Sequence, residues 1–129
     1  MTEERMNRPA SRAGHSGKRL VSAAEDYLSL HSGDKFSLRE VADVLHVNGS
    51  YLLRVYKAHT GHTLLWYHSS IRCEKAKKLL VKSELSISEI GGAVGFVSSA
   101  HFSRIFRKMT GMTPSAYRLE YQTENAEVD

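Results

Sequence analysis

The sequence predicts an all-α chain built as two helix-turn-helix subdomains joined by a long helix. Three observations carry that prediction. Apolar residues recur at helical spacing through most of the chain. A Ser-x-x-Glu pattern, in which the serine caps a helix and the glutamate returns the bond, occurs twice, at Ser37–Glu40 and Ser86–Glu89. Residues 36–67 can also be laid over 85–117 with one extra residue in the second turn. Identities then fall at Ser37/Ser86, Glu40/Glu89, Arg54/Arg104, Thr60/Thr110, Gly61/Gly111, Thr63/Thr113 and Tyr67/Tyr117. Two copies of one supersecondary unit is the economical explanation.

Residues 1–17 lack apolar periodicity and read as a flexible basic arm. Order is expected from about Lys18. Leu20, Ala24, Tyr27, Leu28 and His31 form one stripe, with Gly33 as a stop. The first copy follows. Its leading helix turns Leu38, Val41, Ala42 and Leu45 inward, and a break at His46-Val47-Asn48 leads to a second helix with Leu52, Val55 and Tyr56 inward. Gly61 ends it, closing a subdomain over 18–62. Thr63 caps a linker helix within 63–83, with Ile71, Cys73, Ala76, Leu79 and Leu80 buried and Lys75, Lys77, Lys78 and Lys82 outside. The second copy, within 84–121, repeats the pattern with Ile87, Ile90, Gly91 and Val94, then Phe102, Ile105, Phe106 and Met109. Thr113-Pro114 opens a last helix, with Pro at its first position. It is expected to end near Tyr121, leaving 122–129 as a frayed acidic tail. The turns fit the scheme, since Gly95 tolerates a left-handed backbone and His46 holds the matching place.

The chain has 129 residues and a formal net charge of +4. Glu120, Glu124, Glu127 and Asp129 lie in the last eleven residues with no base among them, so the remaining body is +8. A small basic body points to a polyanionic partner. No apolar run is long enough to cross a membrane, and the N-terminus lacks the apolar core of a secretory signal, so a cytoplasmic protein is expected. The single cysteine, Cys73, excludes an internal disulfide framework and reads as a small buried hydrophobe.

The second helix of each copy buries one stripe and leaves the other face free. That face carries Ser50, Leu53, Arg54 and Lys57 in the first copy, and Ala100, Ser103, Arg104 and Arg107 in the second. A recognition helix needs this division, because one side must be held rigidly while the other enters a major groove about 12 Å wide. Small residues allow close approach. Arginine pairs with guanine O6 and N7, serine serves either base type, and leucine meets a thymine methyl. Lys57, Arg107 and Lys108, further along, are phosphate candidates that set register.

Other chemistry finds little support. Seven histidines raise a metal-site reading, yet Gly61 separates His59 from His62, and no HExxH or Cys/His cluster is present. His59 aligns with Met109 and is expected to be a partly buried structural residue. Nucleophile-elbow, Walker and dinucleotide-glycine motifs are absent. No catalytic residue, metal or cofactor is expected. A helical protein-binding adaptor is the rival from another class.

The segments "EIGGAVGFVSSAHFSRIFRKMTGMTPSAYR" (89–118), "SLREVADVLHVNGSYLLRVYKAHTGHT" (37–63) and "IRCEKAKKLL" (71–80) resemble, in that order, the C-terminal signature, the first helix-turn-helix and the linker helix of the AraC/XylS family of bacterial transcription regulators. The resemblance covers about residues 20–119. It implies seven helices, and a monomer that places both recognition helices in successive major grooves of promoter DNA. By family position the base-reading candidates are Ser50, Leu53 and Arg54, then Ser99, Ala100, Ser103 and Arg104. It also implies a compact standalone activator, with RNA polymerase as a second partner. Met1 favours a complete chain, while the alternative is the C-terminal DNA-binding part of a longer ligand-sensing regulator. Two departures matter. His46 and Gly91-Gly92 replace small residues and alanine, and each helical glycine costs about 1 kcal/mol, so the second subdomain is expected to be the weaker. Leu53 and Ala100 cannot donate hydrogen bonds, which leaves more of the affinity to shape and phosphate contacts.

Overall fold

The computed structural model describes residues 10–128, and side chains within 17–122. Among the described residues the chain forms seven helices: α1 (Ala10–Leu30), α2 (Leu38–Val44), α3 (Gly49–Thr60), α4 (Leu64–Lys82), α5 (Ile87–Ala93), α6 (Ser99–Thr110) and α7 (Pro114–Val128). They divide into two compact units. The first holds the chain up to Leu30 together with Phe36–Tyr67. The second holds His31–Lys35 together with the chain from His68 onward.

The repeat is literal in the backbone. Val47 N–H donates to the Ala42 carbonyl at 3.0 Å, and Phe96 N–H donates to that of Gly91 at 2.9 Å. The preceding residues are the left-handed positions, His46 at φ 59° and Gly95 at φ 109°. Asn48 and Ser98 cap α3 and α6 by accepting from Tyr51 N–H and His101 N–H. Gly61 and Gly111 close these helices at φ 80° and 84°. Just before these glycines, the Thr60 and Thr110 hydroxyls make the same three bonds, and beyond them Thr63 and Thr113 cap α4 and α7. A side chain to satisfy the first free N–H groups and a left-handed residue to end each helix suffice to fix short elements.

The first unit buries Ala24, Leu28, Val41, Ala42, Leu52, Tyr56 and Leu64. Tyr56 donates its hydroxyl to Glu25 at 2.7 Å, tying α3 to α1. Burial and the Glu25 carboxylate both push that hydroxyl above its usual pKa, so it stays a donor. The second unit packs Cys73, Ala76, Leu80, Ile90, Val94, Phe96, Phe102 and Phe106, flanked by Leu79, Ile87, Ile105, Met109 and Tyr117. Phe96, Phe102, Phe106 and Tyr117 form a chain of ring contacts with centroids 5.3, 5.7 and 5.5 Å apart. Burial pushes the Cys73 thiol up to about 11, the environment of an inert small hydrophobe.

Several details differ from the sequence expectation. α1 starts at Ala10, so residues 10–17 of the expected arm are helical in backbone; residues 1–9 lie outside the described residues. Nothing from Ala10 to Ala13 opposes a helix, and at Gly17 the absence of a side chain leaves room for α3. A Cβ there would overlap the His59 ring. His59 itself is exposed rather than partly buried, and its Nδ1 bonds the Val55 carbonyl at 3.0 Å. α7 continues past Tyr121 to Val128, because 115–128 contain neither glycine nor proline. Of the two expected capping boxes, that of Ser86 and Glu89 is complete. At Ser37 the hydroxyl accepts from Glu40 N–H, and the reciprocal bond is not formed. The two caps differ in backbone conformation, with Ser37 at φ −140° where Ser86 sits at −69°. The segment His31–Lys35, expected within 18–62, groups with the second unit through Arg72 and His68.

Gly91-Gly92 splits into two cases. Gly91 is buried, and a Cβ on it would stand 2.9–3.0 Å from Phe102. A Cβ on Gly92 meets nothing within 4 Å. In the repeat register the first copy has Ala42 and Leu52 where the second has Gly91 and Phe102. The smaller residue on α5 accommodates the larger one on α6. Gly91→Ala is expected to cost about 2 kcal/mol by overpacking, read by urea unfolding. Adding Phe102→Leu should cost less in the Gly91→Ala background than in the parent. Additive losses in the two variants would reject this pairing.

Candidate nucleic-acid interface

In α3 the buried stripe is Leu52 and Tyr56, with Val55 half-buried. The opposite face carries Ser50, Leu53, Arg54 and Lys57, all exposed, with Leu53 at 40%. The Arg54 guanidinium carbon lies 5.4 Å from the centroid of the Tyr51 ring, one residue after the Asn48 cap's neighbours Gly49 and Ser50. That contact restrains a long side chain through the attraction of a cation to a ring face.

In α6 Phe102 and Phe106 are fully buried and Ile105 is half-buried. Ser99, Ala100, Arg104, Arg107 and Lys108 are exposed, and Ser103 is half-buried. Ser103, Arg104, Arg107 and Lys108 line a shallow concavity of about 550 Å³ whose far wall is Thr113, the cap of α7. Three cations in one concavity, with no acidic residue in the lining, form a surface suited to a phosphate backbone. Each unit therefore brings its own candidates onto one exposed helical face, and no residue of either set is consumed by the core.

Three features of these surfaces were not apparent in the sequence. Thr113 caps α7 and also lines the concavity. His101 packs edge-on against Phe96, with centroids 5.4 Å apart, and its Nδ1 is buried without a hydrogen-bond partner. Burying an N–H unpaired is costly, which leaves Nε2 as the donor of that ring. The third is Arg72. It is 8% exposed and stacks near Phe96, at 5.3 Å from the ring centroid. Its Nε donates to the Ser32 carbonyl at 2.7 Å and its Nη2 to that of Asp34 at 2.6 Å. Burial lowers its pKa and Asp34 opposes the shift. Beside it, His68 Nε2 bonds the same Asp34 carbonyl at 3.1 Å, and burial, then the Arg72 charge, lower its pKa. These groups do not face outward. They hold residues 32–34 against the turn that positions α6, where a Cβ at Gly95 would stand 2.9 Å from the Gly33 carbonyl.

Comparison with known proteins agrees with this geometry. The profile of a helix-turn-helix domain family matches residues 41–120. The C-terminal domain of AraT, a response regulator from Geobacillus stearothermophilus, is 36% identical, with a TM-score of 0.72 over 77% of this chain and 83% of its own. The chain belongs to the AraC-type helix-turn-helix family. The MmsAB operon regulatory protein of Pseudomonas aeruginosa is 32% identical over 85% of this chain and 36% of its own length. The DNA-binding domain of AdpA, a global transcriptional factor solved in complex with a target DNA, is 26% identical, with a TM-score of 0.69 over 84% of this chain and 94% of its own. The chain spans between about a third and about half of the length of the curated relatives it matches first. Among the described residues of this AraC-type domain, no helix is long and apolar enough to cross a membrane, and no group of three or more potential metal ligands occurs.

Proposed function

We propose that the chain is the DNA-reading part of a sequence-specific transcription regulator, binding double-stranded promoter DNA through α3 and α6 in successive major grooves. One observation carries the proposal. Two copies of the same hydrogen-bonded frame present an arginine at the same position of an exposed helix face, Arg54 and Arg104. Ser50, Leu53 and Arg54 read bases in one groove, and Ser99, Ala100, Ser103 and Arg104 read them in the other. Lys57, Arg107 and Lys108 contact phosphates. The two half-readers belong to one chain, so a monomer suffices for an asymmetric site. The family likeness supports a cytoplasmic, non-enzymatic activator that also touches RNA polymerase. The reading of DNA is the same whether the chain acts alone or within a longer regulator.

Salt separates this function from that of a protein-binding adaptor. Binding to a selected duplex should weaken linearly in log–log form with a slope of about −3 or steeper, at about −0.9 per phosphate contact. Alanine at Lys57, Arg107 or Lys108 should each reduce the slope by about one. A slope near zero would reject DNA as the partner.

A further inference from the structure

We infer that Val97 is a further base-reading residue of the second unit, and that the group it meets is a thymine methyl. The inference rests on the DNA-binding function proposed above. The second turn is one residue longer than the first, and the hydrogen bonds identify the extra residue. Val47 and Phe96 are equivalent through their bonds to Ala42 and Gly91. Asn48 and Ser98 are equivalent as helix caps. Val47 is followed at once by its cap, whereas Val97 intervenes between Phe96 and Ser98. The inserted residue is not used by the fold. Phe96 is 6% exposed, while Val97 is 93% exposed, the most of any large apolar residue among those described.

Its position gives this exposure a use. Val97 immediately precedes the cap of α6, and Ser99 and Ala100 beyond that cap are exposed too. Recognition helices contact base edges with their N-terminal residues. Ala100 offers no hydrogen bond, so beside the Ser99 hydroxyl this end of α6 presents apolar surface. The thymine C5-methyl is the apolar group that base edges present in the major groove, and it distinguishes thymine from cytosine. A β-branched apolar knob beside the helix start is suited to that methyl. The first unit, lacking the insertion, has no counterpart.

The test exchanges each thymine of a selected site for uracil, which removes only the methyl, and measures affinity for the parent protein and for Val97→Ala. Burying one methyl-sized group corresponds to about fourfold in affinity, from ~0.8 kcal/mol per carbon. One thymine in the block read by α6 should therefore cost the parent about fourfold and cost Val97→Ala nothing. Unfolding of the variant should be unchanged, since the side chain is solvent-exposed. A selected site at which every exchange costs both proteins equally overturns the inference alone, leaving Val97 as an ordinary surface residue. Failure of the parent to select any site overturns the DNA-binding function and the inference with it.

Discussion

Alanine at Arg104 is expected to remove about 1–3 kcal/mol of discrimination at one block of the DNA site and to leave the other block unaffected; Arg54→Ala should do the reverse. Each arginine lies two residues beyond a fully buried anchor, Leu52 or Phe102, and two before the next, Tyr56 or Phe106. Its Cα is thereby fixed while its side chain faces solvent. An arginine so placed can pair bidentately with guanine, which a phosphate contact does not require. Competition between the selected duplex and single-base variants measures the effect. Uniform weakening on every sequence would reassign either arginine to the phosphate backbone. The double variant should show both losses together, because the two residues belong to different compact units.

Arg72→Ala is expected to destabilise the second unit by about 3 kcal/mol. The guanidinium is 8% exposed and bonds the carbonyls of Ser32 and Asp34. Hydrogen bonds from a charged donor are worth about 1.5–3 kcal/mol each, and truncation leaves both acceptors short of a partner. The ring of Phe96 would also lose the cation packed near its face. Arg72→Lys should recover little, since one ammonium cannot reproduce the fork. Urea unfolding of the intact chain measures the loss. A change below about 1 kcal/mol, within the range of surface substitutions, would contradict this account of Arg72. The expected functional consequence is indirect: base discrimination near α6 should survive wherever the variant is folded.

Arg72 also shows where sequence reasoning stops. In IRCEKAKKLL it is one cation among several, and its neighbour Cys73 is on the buried stripe. What buries Arg72 is the 32–34 segment, forty residues earlier, whose carbonyls have no signature in a sequence. The literal repeat was legible because its determinants are local: a serine before each leading helix, a left-handed turn residue, a glycine after each recognition helix, and apolar spacing within each. His46 was recognisable as the partner of Gly95 for the same reason. Gly91 was legible only as a cost, since its benefit depends on Phe102 approaching from another helix. The extra residue in the second turn was visible by alignment, but which residue it was became clear only from hydrogen bonds that equate Phe96 with Val47. The candidate site faces followed from the stripes, because whatever the core does not use remains available on a short helix. Thr113 joined them by tertiary placement.

The central claim is that one chain reads DNA with two equivalent helices. Selection from random duplexes of ~30 bp, long enough for two major-groove blocks one helical turn of about 10.5 bp apart, tests it most directly. At physiological salt the protein should recover an asymmetric site with two blocks of preference at that spacing, one weakened by Arg54→Ala and the other by Arg104→Ala. Recovery of a single block, or of no preferred sequence, would contradict it.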